Sequence, residues 1–384
     1  MAWKFPLSDI HMGVEEIQAV TRVLESGWLT LGEVTHNFEQ QFIESTGSRY
    51  AFAVTNATAA LHMACLVANL GPGDEVIVPS LTFVATANAV RYVGANPVFA
   101  DISGQEIFNI SPQSIRQKIT PKTRAIIVMH YAGFSCDMPE IMQIASEHGL
   151  VVIEDAAHAA GSSLDGKALG AWGQTGCFSF FSNKNMTTAE GGMIITQDEG
   201  IAERLRVLRS HGMTSMTLDR HKGHAWSYDV TELGFNYRID EIRASLGIVQ
   251  LSRLTKNNLR RSQITDLYRR TLTRLVPEIG LPFLDAQGQS AYHIFPILLP
   301  GNISRLKFME AMKANGVQTS IHYPPIHTFS AYRDDYPDIE LPVTEDIARR
   351  EVTLPLYPGL RDDEVLEIVE SVAHAFSVSD VGGV

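Results

Sequence analysis

Apolar and polar residues alternate along the chain in two patterns, one typical of helices and one typical of buried strands. Apolar side chains recur every three or four residues between Val14 and Leu24, and Ser26-Gly27 follows as a helix stop. The predicted strands cover residues 50–55, 75–79, 97–100, 124–129, 150–154, 177–181 and 192–196, and the predicted helices cover residues 13–26, 58–70, 82–93, 111–119, 139–148 and 200–208. This alternation predicts βαβ units and a mainly parallel sheet flanked by helices.

The pattern changes after about residue 239. Residues 239–275 have the periodicity of one long or broken helix, strand candidates follow at 292–299 and 317–322, and a helix at 362–376 closes the pattern. A chain of 384 residues is longer than one hydrophobic core usually organises. We therefore predict an α/β protein with a large domain over residues 1–250 and a smaller C-terminal α+β domain over residues 251–384.

The composition argues against several classes of protein. Hydrophobic residues make up 45% of the chain, and the formal net charge is -12 with no Lys/Arg-rich run to offset it, which argues against nucleic-acid binding. The N-terminus lacks signal-peptide features and no apolar stretch reaches membrane-spanning length, so we expect a cytoplasmic protein without a membrane partner. Cys65, Cys136 and Cys177 are odd in number and lack metal-ligand spacing, so neither a disulfide framework nor a metal site is expected.

Polar residues follow predicted strands at three places, and ligands of doubly wound sheets bind at such strand ends. The strand at 150–154 runs into Glu154, Asp155 and His158, which places two carboxylates and an imidazole at one strand end. Successive strand residues face opposite ways, so Asp155 and Glu154 are expected to point in opposite directions. Asp155 can serve a ligand or cap the following helix, and both roles stay open.

The second place is the turn at Asn56, Ala57 and Thr58, where a strand becomes a helix. Small side chains allow backbone N–H groups at a helix N-terminus to approach a phosphate, and Thr58 adds a hydroxyl donor. The same residues would also make a well-capped helix without any ligand. An anion site is therefore one of two interpretations of this turn.

The third place surrounds Lys184, which lies between the aromatic run at 178–181 and the pair Gly191-Gly192. A loop lysine is usually a solvated surface charge. The flanking residues instead predict close packing, and desolvation lowers the pKa of a lysine amine and makes it available for Schiff-base chemistry. Together the three places supply a phosphate cradle, a carboxylate for a pyridinium nitrogen and an amine for an aldehyde, which are the parts of a pyridoxal phosphate site.

Nine sequence blocks resemble, in order and spacing, the DegT/DnrJ/EryC1/StrS sugar aminotransferases of the aspartate aminotransferase superfamily. The blocks are SGWLTLG at 26–32, NATAAL at 56–61, PSLTFVAT at 79–86, HYAGFSCDM at 130–138, EDAAHAAG at 154–161, FSFFSNKN at 178–185, AEGG at 189–192, GFNYRIDEIRAS at 234–245 and HYPP at 322–325. The resemblance covers nearly the whole chain. It implies fold type I, pyridoxal 5'-phosphate as the cofactor and transamination as the reaction.

The resemblance also implies roles for individual residues. Lys184 falls at the Schiff-base lysine and Asp155 at the partner of the pyridinium nitrogen. The other implied cofactor contacts are Phe83 stacked on the ring, His158 at the ring hydroxyl, Ala57, Thr58 and Ser179 at the phosphate, and Asn236 reaching the phosphate from the neighbouring subunit. The last contact implies a homodimer with composite sites. Many members have Ser-Gly-Thr where this chain has Asn-Ala-Thr at 56–58, so the backbone approach to the phosphate is expected to differ slightly.

The substrates implied by the resemblance are glutamate and a nucleotide-linked keto sugar, with a 4-keto-6-deoxyhexose favoured. Amino sugars made in this way serve polysaccharides, glycans or natural products. Trp28 in the open loop 27–32, with His322 and Tyr323 in the segment 321–324, would contact substrate. An ordinary strand-end histidine is an equally good interpretation of His322.

Four alternatives compete with this interpretation. A pyridoxal-phosphate sugar dehydratase of the same family has histidine where this chain has Lys184. An NAD-dependent dehydrogenase requires G-x-G-x-x-G after a first strand, and the glycines at 170, 173 and 176 have the wrong spacing. A non-catalytic protein on this fold is disfavoured by the intact set of Lys184, Asp155 and Thr58. An aminocyclitol aminotransferase that acts on an inosose with glutamine as donor stays open.

Overall fold

The computed structural model describes residues 3–214 and 227–380 of the protein. Its helices are α1 (Val14–Ser26), α2 (Glu33–Thr46), α3 (Ala57–Val67), α4 (Ala85–Tyr92), α5 (Pro112–Lys118), α6 (Met138–His148), α7 (Glu199–Leu208), α8 (Glu241–Leu275), α9 (Arg305–Ala314), α10 (Ser330–Arg333), α11 (Pro342–Arg350) and α12 (Asp362–Val378). Its strands are β1 (Tyr50–Val54), β2 (Glu75–Pro79), β3 (Asn96–Ala100), β4 (Thr123–Met129), β5 (Val151–Asp155), β6 (Ser163–Leu164), β7 (Lys167–Ala168), β8 (Thr175–Ser179), β9 (Gly192–Thr196), β10 (Phe295–Leu298) and β11 (Glu351–Leu354).

Seven strands form one sheet in the order β1-β9-β8-β5-β4-β2-β3. Strand β9 is antiparallel to both of its neighbours. The other adjacent pairs are parallel. The predicted mainly parallel sheet flanked by helices is thus confirmed. Because β4, β5 and β8 run the same way, their carboxyl ends meet at one edge of the sheet.

The sheet is buried on both faces, as its nearly continuous apolar strands require. Alternate residues of β4 belong to opposite cores: Ile126 and Val128 pack in one, whereas Ala125 and Ile127 pack in the other. Helices α2 and α6 cover the first face, and α3 and α4 cover the second. Each large apolar side chain buried in this way stabilises the fold by roughly 1.5–3 kcal/mol. This double cover makes the strands a rigid base for the loops at their ends.

The C-terminal part has its own apolar cluster, joined to the sheet by the 35-residue helix α8. Leu254 of α8 packs with the first core of the sheet, whereas Tyr268 and Leu272 pack with Phe308 and Val369 in a separate cluster. The helix is unbroken and runs through the predicted domain boundary at residues 250 and 251. That boundary stays a prediction.

Two strands predicted in the C-terminal part differ from the structure. Residues 317–322 form no strand, because Val317 pairs only with Phe5 and Ser320 only with Thr353, and single bridges to two different segments make no ladder. The strand predicted from residue 292 begins at Phe295, because Tyr292 has a φ of 49°, which is not an extended conformation. None of the helices in the described ranges is both long and apolar enough to span a membrane.

Candidate active site

A cavity of about 460 Å³ opens at the carboxyl edge of the sheet. Nine of the predicted site residues line it, namely Ala57, Thr58, Phe83, Asp155, His158, Ser179, Lys184, His322 and Tyr323. Its size is typical of small-molecule sites. The adjacency of β5 and β8 explains the convergence, since the loops that follow neighbouring parallel strands meet at one edge.

Asp155 ends β5 inside this cavity, whereas Glu154 faces the opposite side of the strand. The Thr86 hydroxyl donates to Asp155 Oδ2 at 2.8 Å, and the Ala157 amide donates to Oδ1 at 3.1 Å. Burial raises the pKa of Asp155, and these two hydrogen bonds oppose the shift. The Glu154 carboxylate is 3.0 Å from His130 Nε2 and accepts two backbone amides, so it has a structural role. The two carboxylates thus point in opposite directions, as predicted.

The turn before α3 forms a second wall of the cavity. Asn56 caps the helix, and its side chain accepts the amide of Ala59 at 2.8 Å. The first N–H groups of a helix have no partner within the helix, so they can be offered to an anion. This turn therefore combines helix-end amides with the hydroxyl of Thr58.

Gly192 allows this turn to approach the sheet. It pairs with Val54 on one side and with Ser179 on the other. A Cβ atom at Gly192 would lie 2.6 Å from the carbonyl carbon of Asn56 and 2.8 Å from the amide nitrogen of Ala57. Only glycine therefore fits, and the close packing that the sequence predicted around the glycine pair is confirmed.

Lys184 lies in the loop after β8, with its Nζ atom 3.4 Å from Nε2 of His293. Burial lowers the pKa of Lys184 to about 8, and the nearby Asp155 carboxylate opposes this shift. A solvated surface lysine is thus the wrong interpretation. The lowered pKa leaves a larger neutral, nucleophilic fraction of the amine near neutral pH than an ordinary lysine has.

His158 and Tyr323 form a hydrogen-bonded pair on the cavity wall. Their Nε2 and hydroxyl oxygen atoms are 2.9 Å apart. Burial keeps the pKa of His158 well below its usual value, so the ring is neutral. Its Nδ1 atom is buried and has no hydrogen-bond partner within residues 3–214 and 227–380. When the Tyr323 hydroxyl donates to Nε2, Nδ1 carries the ring hydrogen and can donate it to a ligand.

His322 is held at the edge of the cavity by side chains from β11. Its Nδ1 atom is 2.8 Å from the Thr353 hydroxyl, and its amide donates to Glu351 Oε2 at 2.8 Å. The Thr353 hydroxyl lies 2.5 Å from Glu351 Oε1. Burial lowers the pKa of His322 to about 4 and raises the pKa of Glu351 to about 8. His322 therefore has the partners of a structural histidine and also lines the cavity.

Two predicted site residues lie outside the cavity. Asn236 is exposed and is bridged to Ser210, and Trp28 packs against Gly32 near α8. Conversely, sequence reasoning missed His293, which faces Lys184. No local signal marks His293, because a histidine beside an apolar strand is usually a core residue with satisfied hydrogen bonds.

The residues of the cavity fit pyridoxal phosphate. The buried Nδ1 of His158 needs a partner, and the turn held close by Gly192 offers amides and hydroxyls to an anion. Asp155 offers a carboxylate, and Lys184 offers an amine of lowered pKa. Phe83 is 56% exposed and presents its ring at the cavity wall, 6.1 Å from the ring of Tyr323. An aromatic cofactor with a phosphate uses each of these groups.

The chain is similar to aminotransferases along nearly its whole length. The model of the DegT/DnrJ/EryC1/StrS aminotransferase family matches residues 11–373. The spore coat polysaccharide biosynthesis protein SpsC of Bacillus subtilis (strain 168) is 38% identical over 374 residues, which cover 96% of each chain.

Solved structures extend this similarity to three dimensions. PseC of Helicobacter pylori, an aminotransferase involved in the biosynthesis of pseudoaminic acid, matches with a TM-score of 0.91 and 29% identity, over 97% of this chain and 99% of PseC. DesI, solved in the presence of its TDP-sugar product, matches with a TM-score of 0.86 and 30% identity, over 97% of this chain and 92% of DesI. Other matching structures were solved in PLP and PMP forms.

Proposed function

Because the chain belongs to the DegT/DnrJ/EryC1/StrS aminotransferase family, we propose that it transfers an amino group from glutamate to a nucleotide-linked keto sugar, specifically a 4-keto-6-deoxyhexose. Membership makes the protein a sugar aminotransferase with pyridoxal phosphate as its cofactor. The observation that carries the proposal is the convergence of Lys184, Asp155 and the turn at 56–58 on one cavity. The TDP-sugar product in DesI supports a nucleotide-linked substrate.

In this proposal the cofactor is held at its two ends. The helix-end amides of Ala57 and Thr58 and the hydroxyls of Thr58 and Ser179 would bind the phosphate. Phe83 would stack on the ring, and His158 Nδ1 would donate to the ring hydroxyl, which would give that buried nitrogen its partner.

Asp155 and Lys184 would carry the chemistry. When bound, pyridoxal phosphate supplies an electron sink for the removal of a proton from the amino acid Cα. Asp155 holds a proton on the ring nitrogen, and the Thr86 and Ala157 hydrogen bonds favour the ionised carboxylate that this role requires. Lys184 Nζ accepts and returns the Cα proton. Its pKa of about 8 suits this role, because a general base works best when its pKa is close to the operating pH.

The sugar would enter on the side of His322 and Tyr323. The Nδ1 atom of His322 is engaged with Thr353, so Nε2 is the ring atom that can meet a sugar hydroxyl. The Thr353 hydroxyl also lies against the Glu351 carboxyl group, so the ring of His322 is held from the side of Nδ1. We therefore infer that His322 Nε2 forms a hydrogen bond with the sugar.

The test is a substrate panel of nucleotide-linked 4-keto and 3-keto sugars and a free inosose, each with glutamate or glutamine as donor. The mass of the amino product identifies the reactive pair, and Lys184→Ala serves as the inactive control. We expect glutamate with a nucleotide-linked 4-keto-6-deoxyhexose to react and small keto acids to fail as acceptors. Turnover of the inosose without any nucleotide sugar would instead assign the protein to aminocyclitol synthesis.

We also propose a homodimer with composite sites. Asn236 lies outside the cavity of its own chain, and the neighbouring Leu233 and Val230 are 85% and 54% exposed. Exposed apolar residues grouped in this way are typical of interaction surfaces. In the proposal a second copy covers them and brings its own Asn236 to the phosphate.

Mixed dimers test this arrangement. Chains with Asn236→Ala and chains with Lys184→Ala are each expected to be inactive as pure dimers. A mixed dimer regains one intact site of two, because one site then combines an intact Lys184 with an intact Asn236 from the other chain. Activity restricted to chains that carry both intact residues would contradict composite sites.

A further inference from the structure

Two buried amides link α8 to the loop that carries Lys184. Asn258 of α8 donates from Nδ2 to the Ala160 carbonyl oxygen at 2.9 Å, and its Oδ1 accepts from Asn185 Nδ2 at 2.7 Å. Asn185 Nδ2 also donates to the carbonyl oxygen of Ala291 at 2.7 Å. A carbonyl oxygen only accepts, so these contacts determine which end of each amide is nitrogen.

The orientation of Asn185 in turn determines the tautomer of His293. Both hydrogens of Asn185 Nδ2 are used, so its Oδ1 atom accepts from His293 Nδ1, 2.9 Å away. Burial and the nearby Lys184 hold the pKa of His293 well below its usual value. The imidazole is therefore neutral with its hydrogen on Nδ1, and the Nε2 lone pair faces Lys184 Nζ at 3.4 Å.

We propose that His293 is a positioning residue that accepts a hydrogen bond from the Lys184 amine, and that Asn185 makes His293 an acceptor by holding its hydrogen on Nδ1. The neutral amine and the ammonium both carry N–H donors, so one acceptor holds Lys184 before and after it takes a proton. An imidazolium at His293 would repel the ammonium. The inference rests on the proposed function only in the turnover experiment, because the titration of Lys184 requires no substrate.

The other charged and titratable groups near the pair support a neutral His293. Arg261 donates to the His293 carbonyl oxygen at 3.2 Å, and its charge disfavours an imidazolium. A charge on His158 or His322 would disfavour it as well. Asp155 acts on Lys184, where it favours the ammonium form. Within this set, Nε2 of His293 is placed to accept from Lys184 Nζ.

The titration of Lys184 in the cofactor-free protein tests the proposal directly. Trace acetylation from about pH 6 to about pH 11, with the Lys184 peptide quantified by mass spectrometry, reports the midpoint of this one amine. The variants are His293→Leu and His293→Gln. Both lose the contact with Asn185, but only the glutamine retains an acceptor, so the difference between them isolates the hydrogen bond.

We expect His293→Leu to lower the Lys184 midpoint by about one pH unit, because a hydrogen bond to a charged group favours the charged form by roughly that much. In His293→Gln the midpoint should stay close to the wild-type value. If His293→Leu does not fold, His293→Phe keeps the ring volume without a nitrogen and carries the same expectation. A midpoint that is unchanged or raised in the variants without an acceptor would overturn the proposal.

Turnover gives an independent readout. We expect His293→Leu to lower kcat by about tenfold or more while the KM for glutamate stays within about twofold, since positioning affects the proton transfer and not donor binding. A purely structural role would lower Tm equally in the leucine and glutamine variants and leave the Lys184 titration as in the wild type. If the titration behaves as expected but no nucleotide sugar reacts, the proposed function is contradicted, whereas the role of His293 is supported.

Discussion

Replacing Gly192 by alanine should weaken cofactor binding while the fold survives. The added Cβ atom would lie 2.6 Å from the Asn56 carbonyl carbon, whereas ordinary contacts begin at about 3.4 Å, so the turn has to move by about 0.8 Å. The nearest atoms are backbone, so no side-chain rotation relieves the contact. Gly192 is paired on both sides within the sheet, so we expect the turn to yield and the strand to stay in place.

The size of this displacement determines how much affinity for pyridoxal phosphate should be lost. Hydrogen bonds to a charged phosphate contribute about 1.5–3 kcal/mol each, and a shift of this size breaks or lengthens one of them. The loss corresponds to a Kd for pyridoxal phosphate that is about 10- to 100-fold weaker. Overpacking of about 1–3 kcal/mol should also lower the Tm of the cofactor-free protein by several degrees without preventing folding.

Equilibrium binding of pyridoxal phosphate to the cofactor-free protein, followed by absorbance, measures this effect. Gly104→Ala is the matched control, because a Cβ atom there meets nothing within 4 Å and the backbone is not left-handed. A Gly192→Ala protein that binds the cofactor as tightly as the wild type would refute the reasoning that the close approach of this turn forms the phosphate site.

Three further predictions address individual side chains. Borohydride reduction of the holoenzyme and peptide mapping should place the pyridoxyl label on Lys184, and Lys184→Ala should abolish turnover with an unchanged circular dichroism spectrum; a label on another lysine contradicts the assignment. Asp155→Asn should lower kcat by about a hundredfold or more with a small change in Tm, because an amide does not hold the ring-nitrogen proton; near-normal kcat would mean that another group does so. Glu351→Gln should become more stable relative to the wild type as pH rises from about 5 to about 9, since the folded protein keeps Glu351 protonated up to a pKa of about 8 whereas the unfolded chain ionises it near 4.5; parallel Tm curves would contradict the raised pKa.

The local patterns of the chain predicted the large sheet and much of the site. Strand and helix periodicities placed β1 to β5, β8 and β9 to within two residues at each end, because each buried strand is a short, distinct apolar run. The alternation of side chains along a strand was enough to separate Asp155 from Glu154. Helix α2 was missed in the N-terminal part. The C-terminal part was harder: α9, α10 and α11 were missed, and the segment 317–322 pairs with two different segments through one residue each.

By itself, then, the sequence determined the α/β architecture and the cofactor and predicted the residues that would hold it, since these follow from local periodicity and from motifs of contiguous residues. Only the tertiary structure decided which neighbouring groups set the protonation of the site residues. His293 is 109 residues from Lys184, and Glu351 is 29 residues from His322, yet each lies within hydrogen-bond distance of its partner. The tertiary structure also places Asn236 and Trp28 outside the cavity. Burial and hydrogen bonds act through space, so neither the lowered pKa of Lys184 nor the tautomer of His293 has a signature in the local sequence.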